Sequence, residues 1–510
     1  MQEEMMKPNT GDIYCIYHER LQQYTACQVT GFNDSGETAA ILELDWSGDE
    51  LPAEAELRHM KPLVVHFYFW NNQLQHFNAR PQVPQGYILA GNIPPLITKP
   101  TNSYKLWITG NSLYSQRQWE KLPETLRKRF KAAHADTSTI TIGKQSFRRS
   151  TNTLREPDLQ SFSNAGELAM LPCLTGIFAN RYYDYIVPYV NNNPLMNELQ
   201  LYNHGQAVID LSPSNLKRLI IDASGLKVLY LNDGLTFLSL TGNVAPELTI
   251  HASEQGRWLT LQAEQRIPVI NSLANLGSLH LNQLSELALL PVLHSYPNLT
   301  ELQLWGKPGQ LTGLDNLAQF QNLQSFSTYD LFGFGSSDFP PPEQLPRLSS
   351  LSMDSLPADA AKAIKAAYKP RVAYGLDLYI TKPRKPQWLA ENLNNPFRDW
   401  DGRDNITAAN AKKAFQLYKK MRTSISALVV SAESPGTETA AQELKALVVE
   451  YTEAFNKMDR RTGFIETIER EEIYTVLLNL LDEAQERLSP YHIQIDRDAL
   501  HGTFGETCQF

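Results

Sequence analysis

From about residue 190 the chain repeatedly sets two core-type side chains two positions apart, which puts both on one face of a strand. The pairs are Leu199/Leu201, Leu219/Ile221, Leu238/Leu240, Leu259/Leu261, Leu279/Leu281, Leu302/Leu304, Phe326/Thr328 and Leu351/Met353. They recur about every 20 residues at first and about every 25 later. Such a register predicts an array of like strands sharing one core. In the shorter intervals "LKVLYL" and "PELTIHA" predict a second, midway strand, because about ten residues leave no room for a helix. In the longer ones "SELALLPVLHSY" and "GLDNLAQFQN" predict short helices.

The flanks carry other patterns. In the first hundred residues "GDIYCIYHE", "YTACQVTGF", "AAILELDW" and "VVHFYFW" are short aromatic and β-branched runs separated by polar turns, which predicts a small β-rich domain. "LPETLRKRFKAAH" predicts a helix whose basic face is solvated. Lys382 to Asp404 is rich in Pro, Asn and charge and reads as a linker or a packed irregular connection. Beyond it the apolar spacing becomes helical: Ala411, Phe415, Tyr418 and Met421; then Leu444, Leu447, Val448, Tyr451 and Phe455; then Ile473, Leu477, Leu480, Leu481 and Ala484. Thr407 and Thr437 are N-cap candidates and Ser434–Gly436 breaks the chain between helices, so a three-helix bundle is expected.

Several units carry the fuller Leu-x-x-Leu-x-Leu form, "LKRLII", "LTFLSL", "LGSLHL", "LTELQL", "LQSFST" and "LSSLSM", and residues 190–370 resemble a leucine-rich repeat protein of bacterial type. One departure is plain: where that family places Asn or Cys after the strand, this chain has His204, Ser224, Glu264, Leu284 and Lys307, with Asn243 the exception. Another device must therefore satisfy the loop backbone there. Gly11–Phe32 and "GYILAGNIPP" (Gly86–Pro95) resemble the two ends of the small immunity domains found beside polymorphic toxins. That resemblance implies binding rather than catalysis. The fold class expected is multidomain α+β, with a small β-rich immunity-like domain at 1–98 and a connecting region and cap at 99–189. A solenoid of about eight repeats follows at 190–370, then a linker at 371–404 and an α-helical bundle at 405–510.

On a repeat horseshoe the leucines are core, and function belongs to the residues between them on the concave sheet. Those include Tyr202, Phe237, Trp258, His280, Gln303, Trp305 and Tyr329, a set rich in rings and without Lys. Such a surface suits a protein partner, since each ring buries much area at small entropic cost; equally, neighbouring parts of the same chain could cover it. The expected function is a non-enzymatic protein-binding module, an immunity or regulatory protein that occludes a partner such as a toxin. The alternative is a host-directed effector or enzyme with unrecognised chemistry in the helical tail.

Charge and motifs sharpen this only by exclusion. A formal net charge of -9 disfavours nucleic acid as a partner, and the basic stretches Arg127–His134 and Lys144–Asn152 offer only Phe130 and Phe147 for stacking. Phosphate-loop, dinucleotide, zinc-protease and nucleophile-elbow motifs are missing from the sequence. The four cysteines show no metal or disulfide spacing. Repeat-bearing ubiquitin ligases need a Cys inside a helical domain, whereas Cys508 stands beside the end of this one. Asp399–Asn410 lacks the Gly and terminal Glu of a calcium loop. No catalytic residue, metal or cofactor is therefore expected. "MQEEMMKPNTGD" is polar where an export signal needs an apolar run, and no uninterrupted apolar span suggests a membrane, so a cytoplasmic protein is expected.

Overall fold

The computed structural model describes residues 8–33, 35–431, 437–489 and 493–510; the start of the polar opening stretch and the Ser434–Gly436 break lie outside them. The chain divides into two compact units at Pro383/Arg384.

The first unit opens with β1 (Asp12–His18), β2 (Gln23–Phe32), β3 (Ala39–Gly48), the hairpin β4 (Val64–Val65) and β5 (Gln73–Leu74), β6 (His76–Ala79) and β7 (Ile88–Asn92). Strands β6-β3-β2-β1-β7 pair antiparallel in one sheet. Both faces of that sheet are buried: Ile13, Cys15, Ala26 and Leu42 pack with Leu57 on one side, and Tyr14, Cys27, Ile41 and Phe77 with Trp107 on the other. Among these apolar groups lies Glu43, 3% exposed, whose carboxylate accepts from Gly110 N at 3.1 Å and Ser112 Oγ at 3.3 Å. It ties β3 to the start of helix Asn111–Glu120. Burial pushes its carboxyl above the usual carboxylate range.

After helix Glu124–His134 and the hairpin β8 (Thr139–Ile142) and β9 (Gln145–Arg148) come fourteen strands. They are β10 (Thr153–Arg155), β11 (Gly176–Ala179), β12 (Glu198–Leu201), β13 (Val208–Asp210), β14 (Arg218–Asp222), β15 (Val228–Tyr230) and β16 (Phe237–Thr241). They continue with β17 (Thr249–His251), β18 (Thr260–Glu264), β19 (Ser278–Ala288), β20 (Glu301–Thr312), β21 (Ser325–Phe332), β22 (Ser350–Pro357) and β23 (Asp377–Arg384). Among the described residues eleven of them form one sheet, β10-β11-β12-β14-β16-β18-β19-β20-β21-β22-β23, parallel from β10 to β22. The midway strands β13, β15 and β17 make a second parallel sheet behind its early part. Helices Leu289–Ser295 and Ala358–Tyr368 and the tighter turn Leu314–Gln319 lie behind the later part.

This corrects the expected fold class. The central region is α/β-like, carried on a single sheet that runs from 153 to 384, and is not the leucine-rich repeat solenoid of 190–370. The sheet extends past both expected limits, its strands lengthen from three residues in β10 to twelve in β20, and its connections change kind. A paired-leucine register shows that strands stack with one face buried; it does not specify the architecture behind them. The fourth pair was also misframed. Leu261 and Ala263 are the inward pair of β18, set against Leu279 and Leu281, while Leu259 precedes the strand.

The second unit is helical, with Ala408–Ser431, Thr437–Thr462, Thr467–Leu488 and Arg497–Thr507. The three expected helices are joined by a fourth, which contributes Leu500 and Phe504 to the core. Thr407 does cap the first, its Oγ1 accepting from Asn410 N at 3.2 Å. Phe415 lies off the buried face, which passes through Ala411, Ala414 and Met421. The irregular stretch before the helices is packed: Phe397 and Trp400 are each 1% exposed, and Arg403 binds Glu469 and Glu472 at 2.8 and 2.6 Å. Among the described residues no helix is long and apolar enough to cross a membrane.

Leu302 sits in the sheet's core between Leu279 and Phe326. Leu302→Ala should cost about 3 kcal/mol in urea unfolding, whereas Gln303→Ala next to it should stay within about 0.5 kcal/mol. Equal losses would contradict the assigned register. Glu43→Gln keeps an acceptor and removes the charge. Because the folded carboxyl binds its proton more tightly than the unfolded one, wild-type stability falls as pH rises through the raised pKa. The melting-temperature advantage of Glu43→Gln should therefore widen from about pH 4 to about pH 8; a constant difference would rule out this role of the carboxylate.

Candidate functional site

The outward face of the large sheet carries two rows of side chains. One runs Glu198, Arg218, Phe237, Thr260, Ser278, Glu301, Ser325, Ser350 along paired positions. The other runs Gln200, Ile220, Ser239, Gln262, His280, Gln303, Ser327, Ser352. Amides and hydroxyls dominate. His280 Nε2 meets Glu301 Oε1 at 3.1 Å, and Ser278 Oγ donates to Glu301 Oε2 at 3.0 Å, which together hold the Glu301 carboxyl below its ordinary range.

The seven residues singled out in the sequence do not form one patch. His280 and Gln303 are paired neighbours, and Trp305, two residues along β20 from Gln303, pairs with Tyr329. Trp305 is 44% exposed, and the two rings meet edge to face at 6.4 Å. These four lie together across β19, β20 and β21. Phe237 stands apart on β16 beneath the Arg218 guanidinium, 3.9 Å from its centroid, with β18 between it and His280. Tyr202 follows β12, half-buried, its N–H held by Ala179 O. Trp258 is on no strand; it stands in the turn before β18, with its Nε1 donating to Glu254 Oε1 at 3.0 Å.

At the C-terminal ends of these strands the aromatic pair has polar neighbours that sequence reasoning did not weigh as a group. Asn282 and Trp305 directly follow the paired Leu281 and Leu304, and Asp354 is paired with Tyr329. Among the described residues, Asn282 Oδ1 and Asp354 Oδ1 are buried acceptors without a hydrogen bond.

The N-terminal ends of the same strands face the front domain across a cleft of about 1010 Å³. Tyr17, Glu19, Gln85 and Gly86 supply one wall; Arg257, Trp258, Asn275, Asn298, Asn322 and Arg347 are on the other. Arg257 reaches Glu19 at 2.5 Å. Burial lowers the Lys217 ammonium to about 8, helped by the nearby Arg20 guanidinium. The turn that delivers Trp258 is strained, with Glu254 at φ 47 and Gln255 at φ 56, conformations that cost about 1 kcal/mol or more apiece. It packs so closely that a Cβ on Gly277 would lie 2.1 Å from Arg257 O.

A different row of asparagines lies on the entry side, its amides bonded to other side chains rather than to the loop backbone. Asn275, Asn298, Asn322 and then Arg347 each stand four residues before the first inward residue of the next strand, so the amides line the entry side rather than the exit. The signal was present as the recurring Asn-Leu of "ANLGSL", "PNLTEL" and "QNLQSF". On the exit side left-handed residues make the turn at Asn203, Gly242, Gln265, Gln283, Asp330 and Ser355, and His204, 3% exposed, bonds Asp222 O at 2.6 Å.

Other sequence candidates are occupied by the fold. Lys131 Nζ donates to Tyr68 O and Trp70 O, and Arg127 and Arg129 donate to backbone carbonyls. Burial pushes the Cys15 and Cys27 thiols up to about 12 and Cys173 to about 11, which suppresses the nucleophilic thiolate. Asp401 of the tested calcium stretch accepts from Arg384 and Trp388. Among the described residues no group of three His, Cys, Asp or Glu is placed to hold a metal.

Because Arg257 and Glu19 are both about half exposed, Arg257→Ala should change unfolding free energy by less than about 1 kcal/mol. A loss several times larger in urea titration would mean that this ion pair, not packing, holds the cleft walls together. Neither the known family models nor the curated proteins match this sequence.

Proposed function

We propose that this chain is a protein-binding module that grips a partner on the outward face of its large sheet, and that its action is occlusion rather than catalysis. The observation that carries the reading is the Trp305–Tyr329 pair, with Trp305 44% exposed, between Asn282 and Asp354 on the neighbouring strands and beside the polar His280–Gln303 step. Rings give an anchor with little entropy to lose, and a carboxylate beside them favours a basic side chain of the partner. The chain's formal net charge of -9 would steer such a partner inward.

The narrower form is an immunity protein that blocks a toxin in the cytoplasm. What supports it is the front domain, where the two motif ends meet: Asp12 pairs with Asn92, whose Nδ2 donates to Asp12 Oδ1 at 2.8 Å. A fold that closes its first strand with its last makes a rigid module suited to recognition.

Co-purification from native cytosol, followed by reconstitution with the purified partner, tests the reading. Trp305→Ala combined with Asp354→Asn should weaken the reconstituted complex at least tenfold, with the melting temperature little changed. The effect of Asp354→Asn alone should shrink at high salt. An unchanged Kd for the double variant would sink the outward-face site.

A further inference from the structure

The cleft at the entry side of the strands has the chemistry of a second, separate site. Its four charges cancel: Glu19 and Glu254 stand against Arg257 and Arg347. The rest of the lining is mostly amide and hydroxyl, with the rings of Tyr17 and Trp258 near one end. A neutral cleft of this kind offers little to an ion and much to a ligand covered in hydroxyl groups, each of which both donates and accepts.

The amides are ordered. Asn298 Nδ2 donates to Asn275 Oδ1 at 3.1 Å, and Asn275 Nδ2 donates to Gln255 Oε1 at 3.1 Å. Arg347 donates to Asn322 Oδ1 at 2.7 Å. The row breaks between Asn298 and Asn322, leaving Asn298 Oδ1 and Asn322 Nδ2 without a bond among the described residues. An acceptor and a donor are thus set side by side in the open cleft, each on an amide already fixed by its other end. Fixed amides bind with less ordering cost than free ones. The strained Glu254–Gln255 turn anchors the row, since Gln255 holds Asn275 and Glu254 holds the Trp258 ring.

Spacing decides between ligand classes. Successive amides sit on successive strand entries, so they repeat at the strand separation of about 4.8 Å. An extended peptide advances about 3.3 Å per residue and repeats its sides at about twice that, out of step with the row. A sugar unit in an extended glycan is close to one strand separation in length. We propose that the cleft binds an extended neutral glycan across these strands, one sugar per amide step, with a terminal sugar against Trp258, whose ring also carries the Arg257 guanidinium 4.9 Å from its centroid. This site lies at the opposite ends of the strands from Trp305 and Tyr329, so it stands or falls independently of the protein partner.

The test is isothermal titration of the full chain with neutral linear hexasaccharides of glucose in its α-1,4, β-1,3 and β-1,4 linkages, of mannose and of N-acetylglucosamine, each beside its trisaccharide. At least one hexasaccharide should bind saturably and more tightly than its trisaccharide. Asn298→Ala and Trp258→Ala should each weaken it at least tenfold, Trp258→Phe should recover most of the loss, and Trp305→Ala should leave it unchanged. Far-UV circular dichroism checks that the variants fold. The proposal is overturned if no hexasaccharide binds, if Asn298→Ala and Trp258→Ala leave binding intact, or if a neutral Ser/Asn peptide competes for the cleft with equal affinity.

Discussion

Everything in the first unit's large body depends on the in-register stacking of inward side chains from one parallel strand to the next. Leu199 pairs with Leu219, Leu219 with Leu238, Leu238 with Leu261, Leu261 with Leu279, Leu279 with Leu302, and Leu302 with Phe326. Because side chains alternate along a strand, fixing this row inward fixes its neighbours outward, and a slip of one residue would expose the whole core. The outward rows therefore have positions set by burial on the other side. A binding surface built this way keeps its geometry while its own residues vary.

Strand stacking leaves two ends to resolve, and the chain resolves them differently. At the exit the backbone must leave the sheet sharply, and left-handed residues such as Gln283, Asp330 and Ser355 make that turn. Ser355 Oγ donates to Asp330 Oδ1 at 2.9 Å, so the later turns are tied to one another by buried side chains, while His204 serves an early one. At the entry, exposed amides form the ladder. The buried exit bonds are structural in character, since leaving them unmade would orphan polar groups in the core. The entry amides face solvent and carry no such penalty, which frees them for a ligand.

How much of this was legible in the sequence follows from the same physics. The strands were readable because alternation is a local signal, and so were the midway strands β15 and β17 and the helix at 289–295. The frame failed at β18, where the second inward residue is Ala263: a small side chain contributes little to an apolar count although it is only 4% exposed. That error placed Trp258 on the sheet. The architecture was misread because paired leucines report one buried face and nothing about what lies behind it. The fourth tail helix escaped notice because its buried positions are few among polar ones. The Asp12–Asn92 contact, the cleft and the Trp305 neighbourhood arise from groups far apart in sequence, and no local pattern carries them.

The front domain distinguishes the two ends of the outward face. It stands over the entry ends of the strands, where Glu19 meets Arg257 and where burial, with Arg20 nearby, depresses Lys217, while Trp305 at the exit ends is 44% exposed. The entry end is confined between two walls. The chemistry of the two ends differs as well. The exposed Trp305 ring, which rewards a well-packed side chain, lies at the exit end. Ordered amides, whose hydrogen bonds tolerate bridging water, lie where a narrow polar chain would remain partly wet.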